Sequence, residues 1–163
     1  MAGKYRRALN RELDRFCSMT MLESGLPEVV DDQEELARFL TQSGHYNSVM
    51  VKPAAFLPNP KDQETSVSRC RDEPVEELWR MGHHAAGERT LYGAAFIRAG
   101  SVRQILLEVH SHEPPPKHAV IKGWPWNDDL SLQKAQQKEL AIRLASAAGP
   151  PLLKTTVAVK NGS

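Results

Sequence analysis

Proline sets the first limits on this chain. Eleven prolines stand among 163 residues, and most fall in clusters: Pro53, Pro58 and Pro60, the triplet Pro114-Pro115-Pro116, Pro125, and Pro150-Pro151. A proline lacks the N–H that a helix interior or a central strand needs, so each cluster marks a place where regular structure stops. The chain shows no internal repeat and no low-complexity tract. Its elements must therefore be short, of mixed type, and separated by rigid loops.

Periodicity fills the intervals. Tyr5, Leu9, Leu13 and Phe16 recur at helical spacing and predict a helix over 4–22, closed by Gly25 and Pro27. Leu36, Phe39 and Leu40, behind Glu34 and Glu35, predict a second helix over 31–43 that Gly44 ends. Residues 1–15 hold five basic and two acidic side chains, whereas 23–35 hold six acids and no base. The pair reads as two helix faces that attract each other, or as a polarised surface for a partner. Val49 and Val51 alternate as in a short strand from Ser48, and 65–71 is strand-like again. Pro74 opens a helix through Val75, Leu78 and Trp79 that ends at Gly82 or Gly87.

The stretch 91–122 predicts a three-stranded meander. Residues 91–97 and 102–109 pair across a turn at Arg98 to Ser101, and 118–122 adds on one side. A long helix then runs to Ala148 from a cap at Asn127 or Asp128, with Leu130, Ala135, Leu140, Ala141, Leu144 and Ala148 as its stripe. Leu152 to Lys160 predicts a last strand. The fold class is α+β: a mainly antiparallel sheet with the meander, an N-terminal helix pair and a long C-terminal helix. One domain is expected over 1–163, helical over 1–46 with an α+β core over 47–160.

Composition excludes several classes. Apolar residues make up 40% and charged residues 25%, which argues against disorder and coiled coil. Lys and Arg number 21 against 20 Asp and Glu, so no electrostatic case exists for nucleic acid as the sole partner. No apolar run reaches membrane-spanning length, and 1–15 lacks the apolar core of a secretory signal. No membrane partner and a cytoplasmic location are expected. Cys17 and Cys70 form no disulfide framework and no zinc tetrad.

Three constellations carry possible chemistry. His110 and His112 form an HxH on one strand face with Glu108, and His118 on the next strand completes a possible metal site. The competing reading is a solvated face, because HExxH and other strong zinc spacings are missing. In Thr65 to Arg71, Val67, Arg69 and Arg71 share a face opposite Ser66, Ser68 and Cys70. An inward Arg69 needs a carboxylate or a phosphate as partner, so it is either a structural ion pair or an anion site. Cys70 between two arginines is a weaker nucleophile candidate. Trp124-Pro125-Trp126 follows a short strand, and its indoles either cap the core or form a partner platform. No Gly-rich phosphate loop, nucleophile elbow or kinase set is present, and no cofactor is expected.

The segments VKPAAFLPNP (51–60), TSVSR (65–69) and HAVIKGWP (118–125) resemble a small bacterial protein family. The resemblance covers residues 33–148 and carries over no catalytic residue. It implies Phe56, Ser66, Arg69, His118 and Trp124 as the positions of interest. It also implies an accessory role of the kind found in bacterial multi-gene systems, CRISPR-type defence loci among them. The sequence therefore predicts a non-enzymatic accessory or regulatory protein that binds another protein through Trp124, Trp126, Arg7 and Arg11. The alternative is a small metal-dependent or nucleotide-binding enzyme built on Arg69, His110, His112 and His118.

Overall fold

Leu36, Ala37, Phe39 and Leu40 are all buried. They lie on β1, Glu35–Leu40, a strand with partners on both sides. A strand covered on both faces reads as a continuous apolar run, and here that run imitates helical spacing. The helix expected over 31–43 is thus corrected to a strand. The computed structural model describes residues 20–155. Arg7, Arg11 and Cys17 lie outside the described residues, as does the helix expected over 4–22 apart from its last positions. There Met21 bridges Pro27 around a tight turn.

The sheet has six strands in the order β4-β5-β2-β1-β3-β6, and every pair is antiparallel. The other five are β2, Thr65–Arg69; β3, Gly93–Arg98; β4, Glu108–Ser111; β5, His118–Lys122; and β6, Leu152–Leu153. Val157 and Val159, expected in the last strand, lie outside the described residues. The strand expected from Ser48 reduces to one bridge, Tyr46 to Val51.

The three-stranded meander expected over 91–122 is not found: β3 and β4 do not pair, and of the strand expected over 102–109 only Glu108 and Val109 are strand. β4 and β5 pair across the proline turn, which holds two cis bonds, Glu113-Pro114 and Pro114-Pro115. Between β3 and β4, where the sequence predicts a turn, runs α2, Ala99–Gln104, which carries the chain across the sheet. Gly100 serves close approach rather than reversal: its N–H donates to Asp32 O at 2.9 Å, and a Cβ there would stand 3.0 Å from the same oxygen.

Each sheet face has its own cover. α1, Val75–Ala86, packs on the face that carries Ala37, Phe39, Cys70 and Ala94. α3, Leu130–Ala148, covers the face that carries Leu36, Leu40, Val67, Ile97 and Ile121, with the short 3-10 turn Pro53–Ala55 beside it. Asp129 caps α3 by accepting from the N–H groups of Ser131 and Leu132, one residue beyond the expected cap. The inward stripe of α3 is Gln133, Gln137, Ala141, Leu144 and Ala145. Leu130 and Ala135, expected inward, are exposed.

Gly82 sets the distance between α1 and the sheet. A Cβ there would meet Leu91 Cδ2 and Phe39 Cδ1, each at 2.8 Å. Gly82→Ala should therefore lower stability by about 1–3 kcal/mol, the usual cost of overpacking, despite alanine's better helix propensity. Urea unfolding of the variant measures it, and an unchanged or raised midpoint would contradict the tight packing.

Candidate functional site

Arg69 is 1% exposed, and its guanidinium makes four hydrogen bonds. Nε and Nη2 donate to the two carboxylate oxygens of Glu34, each at 2.8 Å, while Nη1 donates to Pro27 O at 2.6 Å and Ser111 Oγ at 3.1 Å. A fork–fork pair of this kind satisfies a buried guanidinium in full geometry. The carboxylate of Glu34 thus takes the Nε–Nη2 edge of the fork. Of the other acids of 23–35, Asp32 pairs with Arg103 at 2.5 Å at the surface. Residues 20–34 form a strap held to the sheet by these arginines, by Ser111 Oγ donating to Glu28 O, and by Ser24 on Glu113.

The histidines lie on the opposite face. Side chains alternate along a strand, so Thr65, Val67 and Arg69 face α3, while Ser66 and Ser68 face the other way with their cross-strand partners Val120 and His118. Arg69 and His118 therefore share no site. His110 turns to Glu108, with Nε2 to Oε1 at 3.2 Å. His112 meets His118, with their Nδ1 atoms 3.1 Å apart. Among the described residues no three His, Cys, Asp or Glu side chains group closely enough to hold a metal ion.

The Nδ1 of His118 lies 2.7 Å from His112 O, and a carbonyl only accepts, so Nδ1 carries a proton. Nε2 lies 3.2 Å from Ser66 Oγ, and in the neutral ring it accepts from that hydroxyl. This is the relative placement of a nucleophile and a base. It stands on an open sheet face, and neither of the two clefts described below reaches it. Cys70 offers no nucleophile either. Burial, then Glu35 and Glu73, push its thiol up to about 12.

The two tryptophans separate. Trp124 is 7% exposed and belongs to the core under α3, with its Nε1 buried and unpartnered. Trp126 is 71% exposed. It walls a cleft of about 470 Å³ with Pro58, Pro60 and Leu130, floored by Gln133 and Gln137. A second cleft, about 510 Å³, lies between the strap at Glu28 to Val30 and β4. It is lined by side chains already committed to holding the strap, among them Arg103 and Ser111.

Four functional or structural residues escape the sequence patterns. Glu34 sits in a run of six acids, and nothing marks it as the buried one. Arg38 donates from Nε to Ala55 O at 2.7 Å and from Nη1 to Ser66 O at 2.9 Å, and burial, then Arg89, lower its pKa to about 10. Gln133 and Gln137 break the apolar stripe at the cleft. The spacing of four between these two amides, on the turn that follows Trp-Pro-Trp, is the signal that finds them.

Comparison of the chain with protein-family models, with curated proteins and with solved structures finds no match.

Arg69→Met should cost about 3–5 kcal/mol, because Glu34 is left buried without its counter-charge. The double variant Arg69→Met/Glu34→Leu should regain most of that loss, as measured by denaturant unfolding. Equal losses in single and double variants would mean that the pair is not the anchor of the strap. Cys70 should resist iodoacetamide at pH 8 in the folded protein and react on unfolding. Its raised pKa costs nothing below the ordinary thiol value of 9.0, and fold stability should fall as pH rises from there towards about 12.

Proposed function

We propose that the protein works by binding another protein, as an accessory or regulatory component, with the Trp126 cleft as its contact surface. The observation that carries this reading is the exposure of Trp126 and Leu130, 71% and 67%, side by side on one concave feature. Soluble proteins seldom leave a tryptophan in water beside other apolar walls unless something covers it. Tryptophan is also the residue type most enriched among interface hot spots. The cleft walls are rigid: Pro58 and Pro60 fix the loop, and Asp129 fixes the start of α3. Rigid walls lower the ordering cost of association.

The loop divides its labour between its two indoles. Trp124 holds the loop to the core and Trp126 is free to contact a partner. Trp124 therefore leaves the proposed contact set, and the surface rests on Trp126 alone among the residues first singled out.

Trp126→Ala should leave the melting temperature within a degree or two and weaken partner capture about 30-fold or more, the equivalent of a hot spot of about 2 kcal/mol. Trp124→Ala should instead cost about 3–5 kcal/mol of stability. Immobilised wild-type and variant chains, with quantitative mass spectrometry of what each retains, test the first expectation, and thermal unfolding tests the second. Identical partner sets on wild type and Trp126→Ala would remove the cleft from the argument.

A further inference from the structure

We infer that the Trp126 cleft takes an extended, proline-containing peptide segment of its partner, read through one backbone carbonyl and one backbone N–H. This inference rests on the reading of the cleft as a partner-binding surface and adds the chemistry of what enters it.

The floor of the cleft is made of two amides with fixed orientation. Gln133 Oε1 accepts from the backbone N–H of Asn127 at 2.9 Å. A backbone N–H only donates, so the NH2 end of Gln133 must point away from it. Gln137 is held the other way round: its Nε2 donates to Pro125 O at 3.0 Å and to Gln63 Oε1 at 2.7 Å. A carbonyl only accepts, so the Oε1 of Gln137 is the free end. Both side chains line the cleft, and both residues are only 8% exposed. Among the described residues neither free end has a hydrogen-bond partner, and the only fully buried unpartnered side-chain atom is Trp124 Nε1. The residual exposure of both glutamines therefore includes these ends. The cleft floor presents one donor and one acceptor, each with its other end locked.

A peptide backbone is complementary to that pair. Gln133 and Gln137 are four residues apart on a helix, or about 6 Å along its axis at 1.5 Å per residue. Two residues of a polyproline II segment span about 6 Å at 3.1 Å per residue. The carbonyl of one ligand residue can thus accept from Gln133 while the N–H three residues on, with two residues between them, donates to Gln137. That second residue cannot itself be proline. Its neighbours can, and the exposed Trp126, which lines the cleft together with Pro58 and Pro60, suits a pyrrolidine ring. Segments already restricted to the polyproline II shape lose little entropy on docking and are recognised in aromatic-lined grooves for that reason.

Charge and wall chemistry favour the same occupant. The rim carries Asp128 and Lys134, one of each sign, so the cleft offers no net pull to an acidic or basic ligand. A peptide brings apolar side chains to Trp126, Pro58, Pro60 and Leu130 and backbone polar groups to the two glutamines.

The test uses the full chain and a phage-displayed library of random dodecapeptides. Enriched peptides should contain proline, and a synthetic copy should bind Trp126→Ala about 30-fold more weakly in fluorescence polarisation. The floor is tested from the ligand side, so that no variant need fold: N-methylation of one non-proline amide of the peptide should weaken binding about tenfold, while methylation of its neighbours should not. Enriched peptides without proline, or proline peptides indifferent to Trp126→Ala and to every N-methylation, would overturn the inference. So would Trp126-dependent binding to a glycan array with no peptide enriched. If no peptide is enriched but Trp126-dependent capture of a partner persists, the partner presents a folded surface: the inference falls and the binding role stands. If neither is seen, both fall.

Discussion

The pairing of Arg69 with Glu34 is the interaction on which the rest of this structure depends. It joins the end of a central strand to a segment with no regular structure of its own, and it does so inside the protein. A guanidinium and a carboxylate taken out of water cost several kcal/mol each, and only full hydrogen bonding offsets that cost. Here the offset is complete on the carboxylate side and nearly so on the arginine: four of its donor–acceptor contacts reach Glu34, Pro27 and Ser111. The backbone repeats the connection, since Cys70 N donates to Glu35 O at 3.1 Å and Ala99 N to Glu34 O at 3.0 Å. Such a pair adds little net stability over an apolar equivalent, but it fixes which segment lies where.

The same parity that buries Arg69 separates two chemistries. One face of the sheet takes Arg69 into the core with Leu36, Val67 and Ile121. The other takes Cys70 and Phe39 under α1 and leaves Ser66, His110 and His112 in solvent beyond that helix. Residues adjacent in sequence, such as Ser68 and Arg69, thereby belong to different environments. Arg69 and the histidines of the neighbouring strands are therefore set on opposite faces of the sheet. Just before α3, a buried and an exposed tryptophan flank one proline.

Much of this was legible in the sequence, and the errors have physical causes. β2, β5, α1 and α3 were readable because each keeps one dominant period or a clear cap. The parity of 65–71 correctly placed Val67 and Arg69 on the inward face and named a carboxylate among the partners Arg69 required. β1 was misread as helix because burial on both faces erases alternation, and Leu36, Phe39 and Leu40 then fall at spacings of three and one. α2 was misread as a turn because Gly100 in a short apolar context signals reversal, whereas here it admits the carbonyl of Asp32. The cleft was invisible to hydrophobic patterning for a further reason. Its floor is built of glutamines at positions where a core helix ordinarily carries leucine, so the stripe was traced instead through Leu130 and Ala135, which face solvent.

The strap has a consequence for how copies of this chain meet one another. A sheet of six antiparallel strands has two open sides, and unpaired backbone groups on such sides invite a strand from another molecule. Among the described residues β6 is blunt, because only Leu152 and Leu153 pair there. β4 is longer, and it is flanked instead by Glu28 to Val30, with Ser111 tied to Glu28 and Arg103 to Val30. The buried ion pair at Glu34 thus acts at a distance: by pinning the strap it holds that segment alongside the longer of the two outer strands.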